Sequence, residues 1–446
     1  MKKERTLNMT EGSPLKLLIM FSIPMLIGNL FQQLYNIVDS IVVGRLVGAD
    51  ALAAIGTTGS ISFLFFALCN GIGSGGGIIT SQFFGSNDTG KVKSCIANVA
   101  YIMIVFPAIV GTIAFFSAEP LLRMLATPEN ILTDATNYLR ILSVGLVFVS
   151  VYNYVSSMLR ALGDSKTPLY FLIFSCILNT VLDIIFVGKL RLSVVGAGIA
   201  TLISQLVSGA LCIWYAFKYN PYFKLTKEDL KINTDVIHSS LKMGIPLSLQ
   251  FSLIAISSMA LQRVVNSFGA VAVAAFTASS RIEQVIHQPY QTLSAALATF
   301  VGQNYGAKKQ DRMIEGYHKS MNLMIAFTIV MVVVMQLFGK AITALFVGDE
   351  DVIIMGAKAL KITSLFYIFL GMIYIVRGIL NGVSDAFFAL FNGIIEVIGR
   401  FTMPVFLTMI PVIGIWGIWW SVGIVWFISG FTAYLRYRYV RKKNHF

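Results

Sequence analysis

The sequence has few charged residues: Asp, Glu, Lys and Arg make up 12% of its 446 residues, against about 25% in an average soluble domain. This deficit argues against one large soluble core. The four cysteines form no CxxC pair and the four histidines are scattered, so no metal-binding motif is present. Neither HExxH nor GxSxG occurs. We therefore expect no enzyme activity and no bound cofactor.

Apolar residues, in contrast, are abundant: 56% of the chain is hydrophobic and the mean hydropathy is +0.77. A membrane-spanning helix needs about 20 apolar residues. Lipid admits only helices or closed barrels, and the apolar segments are too long for barrel strands. We predict an all-α membrane protein with spans at residues 15–41, 51–81, 92–117, 131–161, 167–188, 194–218, 243–266, 271–301, 313–338, 352–381, 386–409 and 412–435.

The two halves of the chain repeat each other. Three pairs of segments share Gly, Pro or Gln positions at a nearly constant spacing: Phe21–Leu26 with Met243–Ser248, Gly48–Ala54 with Gly269–Ala275, and Ser81–Gly85 with Gly302–Gly306. We predict about twelve transmembrane helices in two six-helix lobes, related by a pseudo-two-fold axis along the membrane normal. The predicted lobes are residues 1–218 and 243–446, joined by a cytoplasmic linker at 219–242, with a substrate site between them.

Basic residues concentrate in every second predicted loop and at both ends of the chain, including Lys2, Lys3, Arg5 and the tail Arg436–Lys443. The positive-inside rule then places both termini in the cytoplasm. We attribute the net charge of +13 to this membrane topology and not to a nucleic-acid-binding function. We expect a multi-pass protein in the lipid bilayer of the inner or plasma membrane of the cell.

Two glycine motifs resemble nucleotide-binding sites. Gly85–Lys91 lacks both the strand before a P-loop and the Ser or Thr after its lysine, where Val92 stands. We interpret it as a short cytoplasmic turn and expect no nucleotide. Gly71–Gly76 matches GxGxxG but lies inside an apolar span. There, small residues favour close helix packing, with a conformational hinge as the alternative.

Ionisable residues inside spans are costly and usually functional. Asp39 shares a helix face with Tyr35, four residues earlier, and Pro24 upstream could act as a hinge. Asp39 could exchange a proton near neutral pH, or lie at a helix end in water. Asn179 and Asp183 also share a face. They could bind Na⁺ together with Asp39, hydrogen-bond a protonated Asp39, or clamp two helices.

The predicted second lobe carries a candidate structural ion pair. Glu396 and Arg400 are four residues apart with the acid first, which is the favourable order. Arg377 lies near the end of its span, where a long basic side chain is expected to reach toward the membrane surface or to pair with a loop.

Further polar residues are candidates for the substrate cavity. Arg281 and Glu283 are two residues apart, so they do not share a face and each needs a partner elsewhere. Gln250 follows Pro246 and could line a cavity. With these we group Tyr35 and Gln33 of the first span.

Over essentially its whole length the chain resembles the multidrug and toxic compound extrusion (MATE) family. Four segments carry the resemblance: Ile23–Gly44, Arg160–Asp164, Val195–Thr201 and Val301–Gly306. The resemblance implies a secondary active multidrug efflux transporter that confers antibiotic resistance. Small organic cations or drugs would leave by alternating access, in antiport with H⁺ or Na⁺. We expect a monomer.

The resemblance also implies a cation-coupling site in the first lobe. The positions that match the family are Asp39, Asn153, Asn179, Asp183 and Thr201. Some members carry further acidic residues on the seventh and tenth helices. Here Gln250 takes the seventh-helix position and the tenth span has no carboxylate at mid-membrane, so the coupling role moves to the first lobe. The choice between H⁺ and Na⁺ stays open.

The main alternative is a flippase or exporter of a lipid-linked or metabolite substrate. Such a protein would be expected to line its cavity with several basic residues and often to carry extra spans. Of the basic residues within the predicted spans, we take only Arg281, Arg377 and Arg400 as candidates for such a lining. A channel would lack a coupled cation cycle.

Overall fold

The computed structural model describes residues 6–125 and 127–443, so Lys2, Lys3 and Arg5 lie outside the described residues. The described chain is helical, without strands. The helices, in chain order, are α1 Pro14–Leu46, α2 Ala49–Gly85, α3 Thr89–Met124, α4 Glu129–Ala161, α5 Lys166–Asp183, α6 Ser193–Tyr219, α7 Thr234–Asn266, α8 Ala270–Gly306, α9 Gln310–Ala344, α10 Glu350–Ser364, α11 Tyr367–Gly382, α12 Ala386–Met409 and α13 Gly417–Lys443. A π-helical turn, Ile184–Lys189, follows α5.

Most of these helices can cross a membrane. Within the described residues, ten are long and apolar enough, and α10 and α11 together form an eleventh candidate span. Helix α8 is 37 residues long but does not qualify, since its middle carries Arg281, Glu283 and His287. The helical architecture confirms the predicted all-α membrane fold.

The predicted span at 352–381 is divided between two helices. Helices α10 and α11 meet at an angle of 53°. The amides of Leu365 and Phe366 donate to carbonyls three residues earlier instead of four, which ends α10 in a tight turn. Phe366 packs against Gly423 of α13, where a Cβ atom would lie 2.2 Å from the ring. The break between α10 and α11 therefore lies where the Phe366 ring packs against α13.

The described chain forms two compact units. The first contains Ile23–Ser248 and the residues before Met9; the second contains Met9–Ser22 and the residues from Leu249 onward. Helices α1 and α7 are therefore each divided between the units, close to Pro24 and Pro246. The predicted lobe boundaries at residues 218 and 243 stay a prediction.

In the first unit, α2 and α7 cross at backbone contact. A Cβ atom on Gly75 would lie 2.5 Å from the amide nitrogen of Gly244, and one on Gly71 would lie 2.3 Å from that of Ser248. The Ser248 hydroxyl donates to the carbonyl of Leu68 at 2.6 Å. These contacts confirm the packing interpretation of the Gly71–Gly76 motif, because only glycine leaves room for them.

The segment Arg160–Asp164 joins α4 to α5. Gly163 has a φ of +86°, and a Cβ there would lie 2.2 Å from the carbonyl oxygen of Leu7. Asp164 Oδ1 accepts hydrogen bonds from the backbone amides of Lys166 and Thr167 at 3.1 and 2.9 Å, which satisfies the start of α5. The segment therefore ends one helix and begins the next.

Two further connections of the first unit are held by side-chain hydrogen bonds. Three residues separate α2 from α3, and Asp88 Oδ1 accepts the Lys91 amide at 3.0 Å, so Gly85–Lys91 is the predicted turn. Between α6 and α7, the amide and hydroxyl of Thr226 donate to Asp229 Oδ2 at 2.7 and 2.8 Å. These bonds hold the pKa of the Asp229 carboxyl below its usual value.

In the second unit, the segment before α1 is held by α8 and α9. The Met9 amide donates to Gln303 Oε1 at 2.8 Å, and Asn304 Nδ2 donates to the Met9 carbonyl at 3.1 Å. Arg312 donates to the carbonyls of Met9 and Gly12 at 3.1 and 2.9 Å. Through Gln303 and Asn304, the Val301–Gly306 motif thus holds the backbone at Met9.

Candidate functional site

A polar cluster of the first unit joins α1, α5 and α6. The hydroxyls of Tyr35 and Thr201 lie 3.2 Å apart. Asn179 Nδ2 donates to the same Thr201 oxygen at 3.3 Å. Thr201 therefore links the tyrosine of α1 to the amide of α5. This is the assembly that the family resemblance implies for Asn179 and Thr201.

Two carboxyl groups meet in this cluster. The side chains of Asp39 and Asp183 lie close enough to interact electrostatically. Asp183 is completely buried, Asn179 is 1% exposed and Asp39 is partly buried. No basic side chain of the described residues forms an ion pair with either carboxyl. When the pair is ionised, no basic side chain of the described residues therefore balances its charge.

Several oxygen atoms of the cluster lack donors. Four of its buried oxygens have no hydrogen-bond partner among the described residues: Asp39 Oδ1, Asn179 Oδ1, and both Oδ1 and Oδ2 of Asp183. Buried polar atoms are normally satisfied, so such a group of orphans calls for an additional donor or a cation. A proton between the carboxyls, or a hard cation bound by the four oxygens, would satisfy them.

The backbone at Asp183 is unusual. Helix α5 ends at this residue and continues as the π-helical turn. Such turns within helices are rare and frequently occur at functional sites. Gly196 of α6 packs against the turn, with its Cβ position 3.1 Å from the Phe186 carbonyl carbon. Close approach of α6 thus supports the backbone that carries Asp183.

Sequence reasoning missed Tyr138 of α4. It is 7% exposed and lies within electrostatic range of both Asp39 and Asp183. Gly198 of α6 makes room for it, since a Cβ there would lie 3.3 Å from the Tyr138 ring. A lone tyrosine in an apolar span gives no signal in one sequence, although Gly198 lies in a motif that the family resemblance includes.

Three other predicted residues, Asn153, Gln33 and Pro24, take no part in the hydrogen bonds of this cluster. Asn153 donates to the backbone carbonyl of Val149, in its own helix, at 2.9 Å. It is partly buried, as is Gln33. Pro24 is buried inside α1, which continues through it. Among the described residues, none of the three is hydrogen-bonded to Thr201, Asn179 or the carboxyls.

The second unit contains a buried ion network. Arg377 donates to Asn392 at 2.8 Å and to Glu396 at 3.3 Å. Arg400 lies 3.9 Å from Glu396 and donates to the Ser258 hydroxyl at 3.1 Å. The expectation that Arg377 reaches the membrane surface was wrong, because it is 7% exposed and held by α12. The predicted Glu396–Arg400 pair exists, but Arg377 is the closer partner.

The remaining predicted cavity residues belong to the same unit. Glu283 lies near Thr363 and the charge of Arg400, and its Oε1 has no hydrogen-bond partner among the described residues. Gln250 is fully buried against Gly393, and both atoms of its amide lack a partner among the described residues. Arg281 is exposed and separate from Glu283. Among the described residues, no group of three His, Cys, Asp or Glu side chains could hold a metal ion.

Comparisons with known proteins agree with this architecture. The MatE family profile matches residues 24–185 and 246–413. The chain is 32% identical over 436 residues to the probable multidrug resistance protein YpnP of Bacillus subtilis (strain 168), covering 97% of both chains. It is 25% identical over 433 residues to the multidrug export protein MepA of Staphylococcus haemolyticus (strain JCSC1435), covering 97% of this chain and 95% of MepA. Its fold matches a MATE crystal structure in complex with MaL6 with a TM-score of 0.90 at 23% identity, over 99% of both chains.

Proposed function

The chain belongs to the MatE family, and from this premise we propose that it is a secondary active transporter that exports drugs in exchange for H⁺ or Na⁺. The names of its relatives YpnP and MepA support multidrug export. Small cationic or amphiphilic organic molecules are the proposed substrates.

One observation carries the proposed exchange: the four unpartnered oxygens around Asp39, Asn179 and Asp183. Two neighbouring carboxyl groups repel each other when both are ionised, so the pair favours taking up a positive charge. The pair has no lysine or arginine partner among the described residues, so that charge must come from solution.

Both coupling ions fit this group of atoms. A proton bound by one carboxyl would supply the donor that the other lacks. Alternatively, Na⁺ would take its oxygen ligands from Asp39, Asn179 and Asp183, since hard cations prefer carboxylate and amide oxygens. In either case Thr201 holds Asn179 through its Nδ2 atom and leaves Oδ1 available.

Uptake and release of this ion would drive alternating access. The membrane potential contributes about 2.3 kcal/mol per charge per 100 mV to inward movement of the ion. Pro24, within α1 and 15 residues before Asp39, would provide the bend that couples ion binding to the drug site.

Drug uptake into inverted vesicles that contain the purified protein tests the proposal. A fluorescent organic cation such as ethidium is offered under an imposed proton or sodium gradient. We expect accumulation under one gradient, and loss of accumulation in Asp39→Asn. Asp50→Asn is the matched control, because Asp50 is an exposed carboxylate of the same unit, and it should transport normally.

Wild-type accumulation by Asp39→Asn would remove this carboxyl from the coupling mechanism. No accumulation under either gradient, with folded protein, would favour a flippase or exporter of a lipid-linked or metabolite substrate.

The orientation is proposed on the distribution of Lys and Arg alone. We place both termini in the cytoplasm of a cell whose inner or plasma membrane holds the protein as a monomer. Cysteine accessibility from each side of the membrane, with one cysteine introduced at Lys443, tests the position of the carboxyl terminus.

A further inference from the structure

A groove in the second unit has no part in the proposed transport cycle. It lies between the beginning of α9 and the end of α13, with Met372 of α11 on its inner side, and its volume is about 1030 Å³. Because α9 begins where α13 ends, the groove opens at one membrane surface.

The lining of the groove changes character with depth. Arg438, Arg441 and Lys442 come from the last turns of α13. Tyr437, one residue before Arg438 and about one turn before Arg441, stacks with Tyr317, and their ring centroids are 4.3 Å apart. Tyr437 is 3% exposed, so this aromatic pair forms a fixed wall.

Methionines line the inner part of the groove. Met321 lies one helical turn beyond Tyr317 on α9, and Met372 faces the groove from α11. Methionine is flexible and apolar, which suits contact with hydrocarbon chains. The order from the membrane surface inward is therefore basic, aromatic and apolar.

This order matches the profile of a phospholipid. Three permanent cations and His318 line the groove, and no Asp or Glu is among its lining residues. Basic pockets between transmembrane helices bind anionic headgroups, and tyrosines are enriched at headgroup level. A basic helix end alone would be expected from membrane topology. The size of the groove, the stacked tyrosines and the methionines behind them suit a ligand with an apolar part.

We propose that this groove binds an anionic phospholipid, with its phosphate at Arg438, Arg441 and Lys442 and its acyl chains along Met321 and Met372. The site differs from the Asp39–Asp183 cluster in both its place and its ligand. It depends only on the membrane location of the chain, so it stands or falls independently of drug export.

The test is native mass spectrometry of the full-length protein in detergent, titrated with phosphatidylglycerol or phosphatidylcholine. We expect wild type to retain phosphatidylglycerol preferentially. The double variant Arg438→Ala/Arg441→Ala should bind it about tenfold or more weakly, since each basic residue near an anionic headgroup contributes measurable affinity. The charge-matched control is Lys319→Ala/Lys443→Ala, which removes two nearby lysines that do not line the groove.

Three outcomes would overturn the proposal. Equal binding of the two lipids would show no headgroup selection. Equal loss in the control variant would show that general surface charge attracts the lipid. Binding of sn-glycerol 3-phosphate as tightly as phosphatidylglycerol would indicate a soluble phosphate compound. If the double variant does not fold, Arg438→Gln replaces it, because Arg438 is exposed and its substitution leaves the core intact.

Discussion

At the scale of single residues, Glu396 is the centre of the buried network in the second unit. It is 5% exposed and faces two guanidinium groups, Arg377 at 3.3 Å and Arg400 at 3.9 Å. Glu396→Gln leaves both cations without a counter-charge, and we expect a loss of about 3–5 kcal/mol in the free energy of unfolding. Thermal unfolding of the purified protein in detergent measures this loss.

The two arginines should differ in the same assay. Arg377→Met removes the closer partner and also leaves Asn392 Oδ1 without its donor, so we expect it to destabilise more than Arg400→Met. Arg400 is less buried and keeps a separate contact with Ser258. The reverse order would make the helical Glu396–Arg400 pair the principal one.

Residue spacing predicted only part of these contacts. The four-residue spacing of Glu396 and Arg400 gave the helical pair, but Arg377 comes from another helix, and no local rule selects such a partner. The same holds for Thr201, which meets Tyr35 and Asn179 through tertiary packing. The family resemblance, and not spacing, pointed to Thr201.

At the scale of helices, the crossing of α2 and α7 depends on glycine. We expect Gly75→Ala to cost about 1–3 kcal/mol in the free energy of unfolding, the usual range for overpacking, because its Cβ would lie 2.5 Å from backbone of α7. Gly59→Ala in the same helix is the control, since no atom lies within 4 Å of its Cβ position. It should be neutral or stabilising by up to about 1 kcal/mol, as expected from helix propensity.

Thermal unfolding of both variants provides the comparison. Similar stability for Gly75→Ala and Gly59→Ala would mean that the crossing tolerates a methyl group and that the glycines serve flexibility instead.

The positions of most helices followed from hydropathy and loop residues, but their irregularities did not. The bend between α10 and α11 depends on Phe366 packing against Gly423, which lies on α13. The segment Met9–Gly12 is fixed by side chains of α8 and α9, almost 300 residues later in the chain. The π-helical turn after Asp183 has no local sequence signature such as proline. Each feature is determined by contacts distant in sequence.

At the scale of the whole molecule, the repeated halves hold polar clusters of different chemistry. In the part of the chain that the structure describes, the first unit has neighbouring carboxyls without basic partners, whereas the second pairs its buried Glu396 with arginines. A carboxylate that is already paired with arginine has its charge neutralised, and the nearby guanidinium groups repel any further cation. This contrast favours ion coupling in the first unit and substrate contact in the second.

Transport kinetics can test this division between the units. Asp183→Asn removes a carboxyl from the first cluster, so we expect drug uptake to lose its dependence on the coupling-ion gradient. Glu283→Gln alters the second unit beside Arg400 and Thr363. It should change the KM for the drug while the ion dependence remains that of wild type. The measurement is uptake rate in vesicles as a function of drug and ion concentration, with equal amounts of folded protein.

If Glu283→Gln abolished the ion dependence, the coupling site would extend into the second unit. If Asp183→Asn left it intact, the unpartnered oxygens of the first cluster would have another role.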